Sequence, residues 1–194
     1  AFVLPMIARL AEVGRRPQAK RPRALILAPT RELATQIDEV LTPFAQAMRM
    51  RSRTVFGGVG QSPQVQAIAR GVDIVVACPS RLEDLMQQGH VDLSSIEITI
   101  LDEADHMADL GFLPGVKRIL DKTPRGSQRM LFSATLDGAI NQIVKRYLEQ
   151  PVTHEADSAQ SPVAQMTHHV FRVGSTTEKT GLVHELASGT GRAQ

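Results

Sequence analysis

The chain has 194 residues, 42% of them hydrophobic and 22% charged. That length is one domain with room for part of a second, and that apolar content excludes disorder as the main state. The formal net charge is only +2. It hides an asymmetry, because residues 1–53 hold ten Lys/Arg against four Asp/Glu and the remainder holds twelve against sixteen.

No apolar run is long enough to span a bilayer. The single cysteine, Cys78, excludes a disulfide framework and a cysteine-based metal site. The first ten residues lack the basic start and cleavage site of a signal peptide. A reducing cytoplasm is therefore the expected location.

In chain order, apolar residues at helical spacing predict a first helix over 2–13. The basic cluster Arg15, Arg16, Lys20, Arg21 and Arg23 sits around Pro17 and Pro22 and reads as a solvated loop. Short aliphatic and β-branched runs predict strands over 24–28, 53–56, 73–77, 98–101 and 129–132. Amphipathic stretches between them predict helices over 32–48, 64–69, 81–88, 114–121 and 140–148. Strands alternating with helices imply βαβ units, hence a doubly wound α/β fold with a mainly parallel sheet covered on both faces.

After Pro151 the pattern breaks. Residues 154–167 are small and polar, with Pro162, and read as a linker. A strand over 168–173 and a helix over 176–187 then read as the start of a second domain. The chain also opens directly in an apolar helix pattern, so the expectation is an internal piece of a longer protein: domain one over 1–153, linker 154–167, and the opening of domain two over 168–194.

The chemistry gathers where the predicted strands end. Ile98-Thr99-Ile100-Leu101 runs straight into Asp102-Glu103-Ala104-Asp105. In open parallel sheets the C-terminal strand ends are where ligands bind. One carboxylate there can hold a Mg²⁺ that bridges nucleotide phosphates, and its neighbour can orient and deprotonate an attacking water. On its own, an acidic surface turn is the better explanation of two acids after a strand. The other strand ends carry Pro29-Thr30-Arg31-Glu32, Gly57-Gly58, Cys78-Pro79-Ser80-Arg81 and Ser133-Ala134-Thr135. Thr30 also reads as a helix N-cap, and capping and phosphate binding use the same helix end. For either glycine alone, a tight turn is a sufficient explanation.

In order, spacing and most identities, this set resembles the first RecA-like domain of the DEAD-box RNA helicases of superfamily 2. The resemblance implies an ATP-dependent RNA helicase that couples Mg-ATP binding and hydrolysis to RNA clamping and local duplex unwinding. By it, Asp102 is the Mg²⁺-holding acid, through water, and Glu103 positions the hydrolytic water. Asp105 is the acid that pairs with Ser133 and Thr135. The RNA backbone is gripped by Pro29, Thr30 and Arg31, by Gly57 and Gly58, and by Pro79, Ser80 and Arg81. The segment Cys78-Pro79-Ser80-Arg81 departs from the usual Thr-Pro-Gly-Arg at two of four positions. A monomer is the family default.

A P-loop of the form G-x-x-x-x-G-K-[ST] does not occur in these 194 residues. The resemblance places the strand leading into it inside the sheet, beside the strand that ends at Asp102. Its absence is expected to leave apolar strand edges open next to Asp102, and the segment alone to be inactive. The rival reading is a nucleotide-independent RNA-binding or partner-docking module. With no Trp and one Tyr, Tyr147, the chain offers no aromatic platform for bases, so RNA contact is expected at the backbone and independent of sequence.

Overall fold

The computed structural model describes residues 2–155 and 171–188. Its elements run α1 (Val3–Val13), β1 (Ala24–Leu27), α2 (Arg31–Ala47), β2 (Ser52–Val55), α3 (Ser62–Ala69), β3 (Ile74–Ala77), α4 (Pro79–Gln87), β4 (Ile98–Leu101), α5 (Ala104–Asp109), α6 (Leu113–Leu120), β5 (Gln128–Leu131), α7 (Gly138–Tyr147) and α8 (Thr176–Ser188). The chain divides into two compact units, residues 1–151 and 152–194.

In the first unit the five strands form one sheet in the order β2-β3-β1-β4-β5, and every pairing is parallel. The order follows composition. Ala-Leu-Ile-Leu, Ile-Val-Val-Ala and Ile-Thr-Ile-Leu occupy the three central places and are buried at every residue. The polar strands, Ser-Arg-Thr-Val and Gln-Arg-Met-Leu, take the two edges, where charge discourages pairing with another chain.

Two apolar layers cover the sheet. One packs Met6, Leu10, Ile37 and Leu41 of α1 and α2 against Ile26, Ile74 and Ile100. The other packs Ile68, Leu82, Leu85, Val116 and Ile143 from α3, α4, α6 and α7 against Leu25, Val75 and Leu101. Successive strand residues alternate between the layers, as the pleat requires.

The five strands predicted in the first unit all form, displaced by a residue at most. Helix α7 starts two residues early because the Asp137 carboxylate accepts from the amides of Ala139 and Ile140, both at 3.0 Å. Helix α5 has no counterpart in the sequence reading. It is six residues long and buries only Ala104 and Met107, too short for a period to show.

The expected open edge beside the strand of Asp102 is corrected. β4 is bonded on both sides, to β1 and to β5, so no gap adjoins it. The open edges belong to β2 and β5. The basic cluster is corrected in part. Arg23, read as solvated, is buried, donating to Glu97 Oε1 at 2.8 Å, Leu10 O at 2.9 Å and Arg15 O at 3.0 Å. Arg21 pairs with Asp92 at 2.7 Å at the exposed surface.

In the second unit α8 covers the predicted helix and one residue more. The Ser175 hydroxyl accepts from the Glu178 amide, and the Glu178 carboxylate accepts from the Gly174 amide. Of the strand expected over 168–173, residues 171–173 are irregular. Residues 168–170 lie outside the described residues, as do 156–167 of the expected linker and 189–194 of the expected second domain. No helix among the described residues is long and apolar enough to cross a membrane.

Candidate functional site

Because all five strands are parallel, their C-terminal ends share one edge of the sheet, and the five motifs stand along it in the order of the strands. They form two groups. The turn after β4 meets the turn after β5, and the turns after β1, β2 and β3 meet farther along the edge.

The first group lines a cleft of about 410 Å³ formed by Asp102, Glu103, Asp105, His106, Asp109, Phe132, Ser133 and Ala134. The Asp105 carboxylate ties its two turns together. Its Oδ2 accepts from the amides of Ala134 at 3.0 Å and Thr135 at 3.2 Å, and its Oδ1 from the His106 amide at 3.0 Å. Of the expected pairing, Thr135 is met through its backbone amide, and Ala134 rather than Ser133 supplies the second amide. The Ser133 hydroxyl donates instead to the Thr135 carbonyl at 2.6 Å.

Glu103 holds the backbone in the left-handed region, φ 50° and ψ 55°, although it carries a side chain. Such strain persists where surrounding structure imposes it, and it clusters at working sites. Here β4 ends at Leu101 and α5 begins at Ala104, so the chain reverses within two residues. The reversal turns Glu103 out of the strand, half exposed, with Oε2 3.1 Å from His106 Nδ1. His106 carried no ligand spacing in the sequence and was missed. Its position three residues after Glu103 becomes informative only once 104–109 is known to be helical.

Asp102 accepts from the Glu103 amide at 3.2 Å. Burial first, and the neighbouring Glu103 charge after it, push its carboxyl up from the ordinary value. A cation would offset both effects. No three His, Cys, Asp or Glu side chains among the described residues converge as a ready-made metal cage. A Mg²⁺ there would be held by the Asp102 carboxylate and otherwise by water and phosphate oxygens.

The second group is basic. Arg31 begins α2 directly after its N-cap. Thr30 Oγ1 accepts from the Leu33 amide at 3.2 Å, which leaves its hydroxyl proton free to donate outward. The Arg31 guanidinium lies over the Phe56 ring, 5.5 Å from its centre. Gly58 sits at φ +76°, which favours glycine, and a Cβ there would stand 2.6 Å from Arg31 Nη1 and displace the guanidinium. Arg81, half-buried in α4, donates to the Val59 carbonyl at 3.2 Å and so ties the glycine turn to the turn after β3.

Pro29 and Pro79 are buried. Gly57 has open space where a Cβ would be, and Ser80 is exposed on the first turn of α4. Burial, with Glu32 nearby, pushes the Cys78 thiol up to about 11, so it stays a neutral, weak donor at neutral pH.

A parallel α/β sheet with carboxylates at one strand end and amide and guanidinium donors along the same edge defines a RecA-like domain. The chain belongs to the DEAD/DEAH box helicase family, whose model matches residues 1–143. It is 39% identical over 187 residues to ATP-dependent RNA helicase DeaD of Escherichia coli, covering 96% of this chain and 29% of that protein. It is 34% identical over 191 residues to ATP-dependent RNA helicase DBP2 of Scheffersomyces stipitis, covering 98% and 36%. A crystal structure of a hypothetical ATP-dependent RNA helicase from Sulfolobus tokodaii matches with TM-score 0.67 and 35% identity, over 76% of this chain and 42% of that one. The chain therefore spans about a third of the length of these curated relatives.

Proposed function

We propose that this chain carries the hydrolytic acids and part of the RNA grip of an ATP-dependent RNA helicase. The observation that carries the reading is the Asp105 carboxylate, which fastens the acidic turn after β4 to the turn after β5. A change in nucleotide at Asp102 and Glu103 is thereby linked mechanically to Ser133–Thr135.

In this reading Asp102 holds Mg²⁺ through water, and the ion supplies charge neutralisation on the phosphate oxygens of ATP. Glu103 accepts the proton of the attacking water while the His106 ring bonds its second oxygen. Thr30 and Arg31, Gly57 and Gly58, and Ser80 and Arg81 meet the RNA backbone, with Pro29 and Pro79 setting the turns. Backbone amides, hydroxyls and guanidinium groups suit phosphates and carry no base code. Residues 1–153 form the first RecA-like domain, 154–167 a linker and 168–194 the opening of a second domain. The protein works in the cytoplasm. No phosphate-cradling motif lies within the 194 residues, so on its own the chain binds RNA without turning ATP over.

The test is RNA-stimulated ATP hydrolysis by the protein with the sequence that flanks these residues in its gene, compared with its Glu103→Gln variant. Loss of turnover with ATP and RNA binding kept supports the reading. Equal turnover in both removes Glu103 from the chemistry.

A further inference from the structure

Strand β2 is an edge strand, and its open side is unusually basic. Arg51 and Arg53 flank Ser52, Arg49 precedes them by two residues, and Arg70 ends α3 on the neighbouring turn. A cavity of about 290 Å³ wraps this edge from α2 to α3, with Arg51, Arg53 and Arg70 in its wall against one acid, Asp38. The ion pairs among the described residues engage Arg21, Arg23, Arg81, Arg118 and Arg146 and none of these four. Asp38 Oδ1 and Arg53 Nε are both buried and both lack a hydrogen-bond partner among the described residues.

Among the described residues, Arg51 Nη2 meets only the Arg70 carbonyl, at 3.4 Å. Arg23 at the start of β1 meets two acids and two carbonyls. Four guanidinium groups left without carboxylates on one edge, beside a cavity, ask for an anion from outside. β2 also leads into the Gly57–Gly58 turn. Arg53 lies four residues before Gly57, about 13 Å along an extended strand. A backbone leaving the glycine turn past the outermost strand reaches the cavity within a few nucleotides.

We propose that the open edge of β2 is a second phosphate-binding site for single-stranded RNA, formed by Arg51, Arg53 and Arg70 with Arg49 beside them. It extends the footprint beyond the motif residues. The proposal rests on the reading of Gly57 and Gly58 as an RNA contact. Its ligand is the sugar-phosphate backbone, so it adds length dependence and salt dependence without base preference.

The test uses the 194-residue chain and oligouridylates of about six and about twelve nucleotides, lengths that bracket a single-domain footprint. Fluorescence anisotropy is followed from low to high salt. The triple variant Arg51→Gln, Arg53→Gln, Arg70→Gln is expected to bind the short oligomer like the parent. It is expected to bind the long one about tenfold more weakly, with the log–log salt slope reduced by about two, three contacts at about 0.7 each. The parent's thermal melt should be kept. If the triple variant melts early, the single variants Arg51→Gln and Arg70→Gln, both at exposed positions, take its place, each losing about 0.7 of slope.

Equal loss for both lengths, or none for either, overturns the proposal. So does binding of an oligoglutamate peptide that competes poorly with RNA and is lost in the triple variant, because the edge then serves a protein partner. The control is Arg31→Ala, which should weaken both lengths. If Arg31→Ala weakens neither, the reading of the glycine turn fails. If Arg31→Ala weakens both and the triple variant changes neither, only the second site fails.

Discussion

The two ends of strand β1 treat arginine in opposite ways. At the N-terminal end, Arg23 is 3% exposed, and its guanidinium is saturated by Glu97 and by the Leu10 and Arg15 carbonyls. At the C-terminal end of the same strand, Arg31 is exposed, packs on Phe56 and has no ion pair among the described residues. Helix N-termini converge on this second end, adding amide donors to the charge. At β1 the first end uses charge to lock the fold, and the second leaves charge and strain available. The contrast teaches where stability and function are separable in this chain.

The contrast breaks most clearly at Arg23. Arg23→Ala leaves Glu97 and two carbonyls without a partner in a buried setting, and should cost about 3–5 kcal/mol in urea unfolding. RNA affinity at temperatures where the variant is folded should stay at the parent value. A variant that loses RNA binding while keeping stability would reverse the roles of the two ends.

Glu103→Gln is the opposite case. The side chain is half exposed and its volume is kept, so the unfolding midpoint should not move. Turnover of the protein with its flanking sequence should fall by roughly 10²–10⁴-fold. A midpoint shift larger than the rate effect would make Glu103 a structural residue.

The glycine turn sharpens the comparison further. Arg31→Ala should flatten the salt slope of RNA binding by about 0.7, one phosphate on a single strand. Gly58→Ala should weaken binding too, because its Cβ at φ +76° displaces the Arg31 guanidinium. The double variant should then be little worse than the worse single one, a coupling that a double-mutant cycle measures. Additive losses would mean that the two residues act apart.

The smallest effect concerns Asp102. Its carboxyl is raised in the folded state, first by burial and then by Glu103. A raised acid binds its proton more tightly in the folded than in the unfolded chain. Its contribution is fully present below the unfolded value and is lost as pH rises through the folded one. At neutral pH the charged Asp102 therefore costs stability, and Asp102→Asn should raise the thermal midpoint slightly at pH 7. The difference should vanish toward pH 3. A lower midpoint at pH 7 would show that Asp102 makes a stabilising contact.

Much of this was written into the sequence. Two unbroken aliphatic runs, a third interrupted only by Thr99, and two polar ones state which strands lie inside and which at the edge, because only the apolar runs are readily buried on both faces. Alternation with helices states that the strands are parallel, and hence that the five motifs share one edge. Thr30 announces the start of α2 through its own side chain.

What the sequence could not state depends on contacts between residues far apart in the chain. The place of β5 against β4 is set by pairing across an intervening helix pair, and it leaves no gap beside Asp102. Arg23 looks like its neighbours Arg21 and Lys20 in a basic loop, and only Glu97, 74 residues on, makes it a buried clamp. Asp105 meets the amides of Ala134 and Thr135 about thirty residues away through backbone groups that every residue type carries, so no side-chain pattern marks the pairing. His106 reaches Glu103 only because a six-residue helix forms there. Local periodicity determined the elements and their burial, whereas the partners of the charged groups were decided by tertiary structure, because a charge is satisfied by whichever group the fold brings within hydrogen-bond reach.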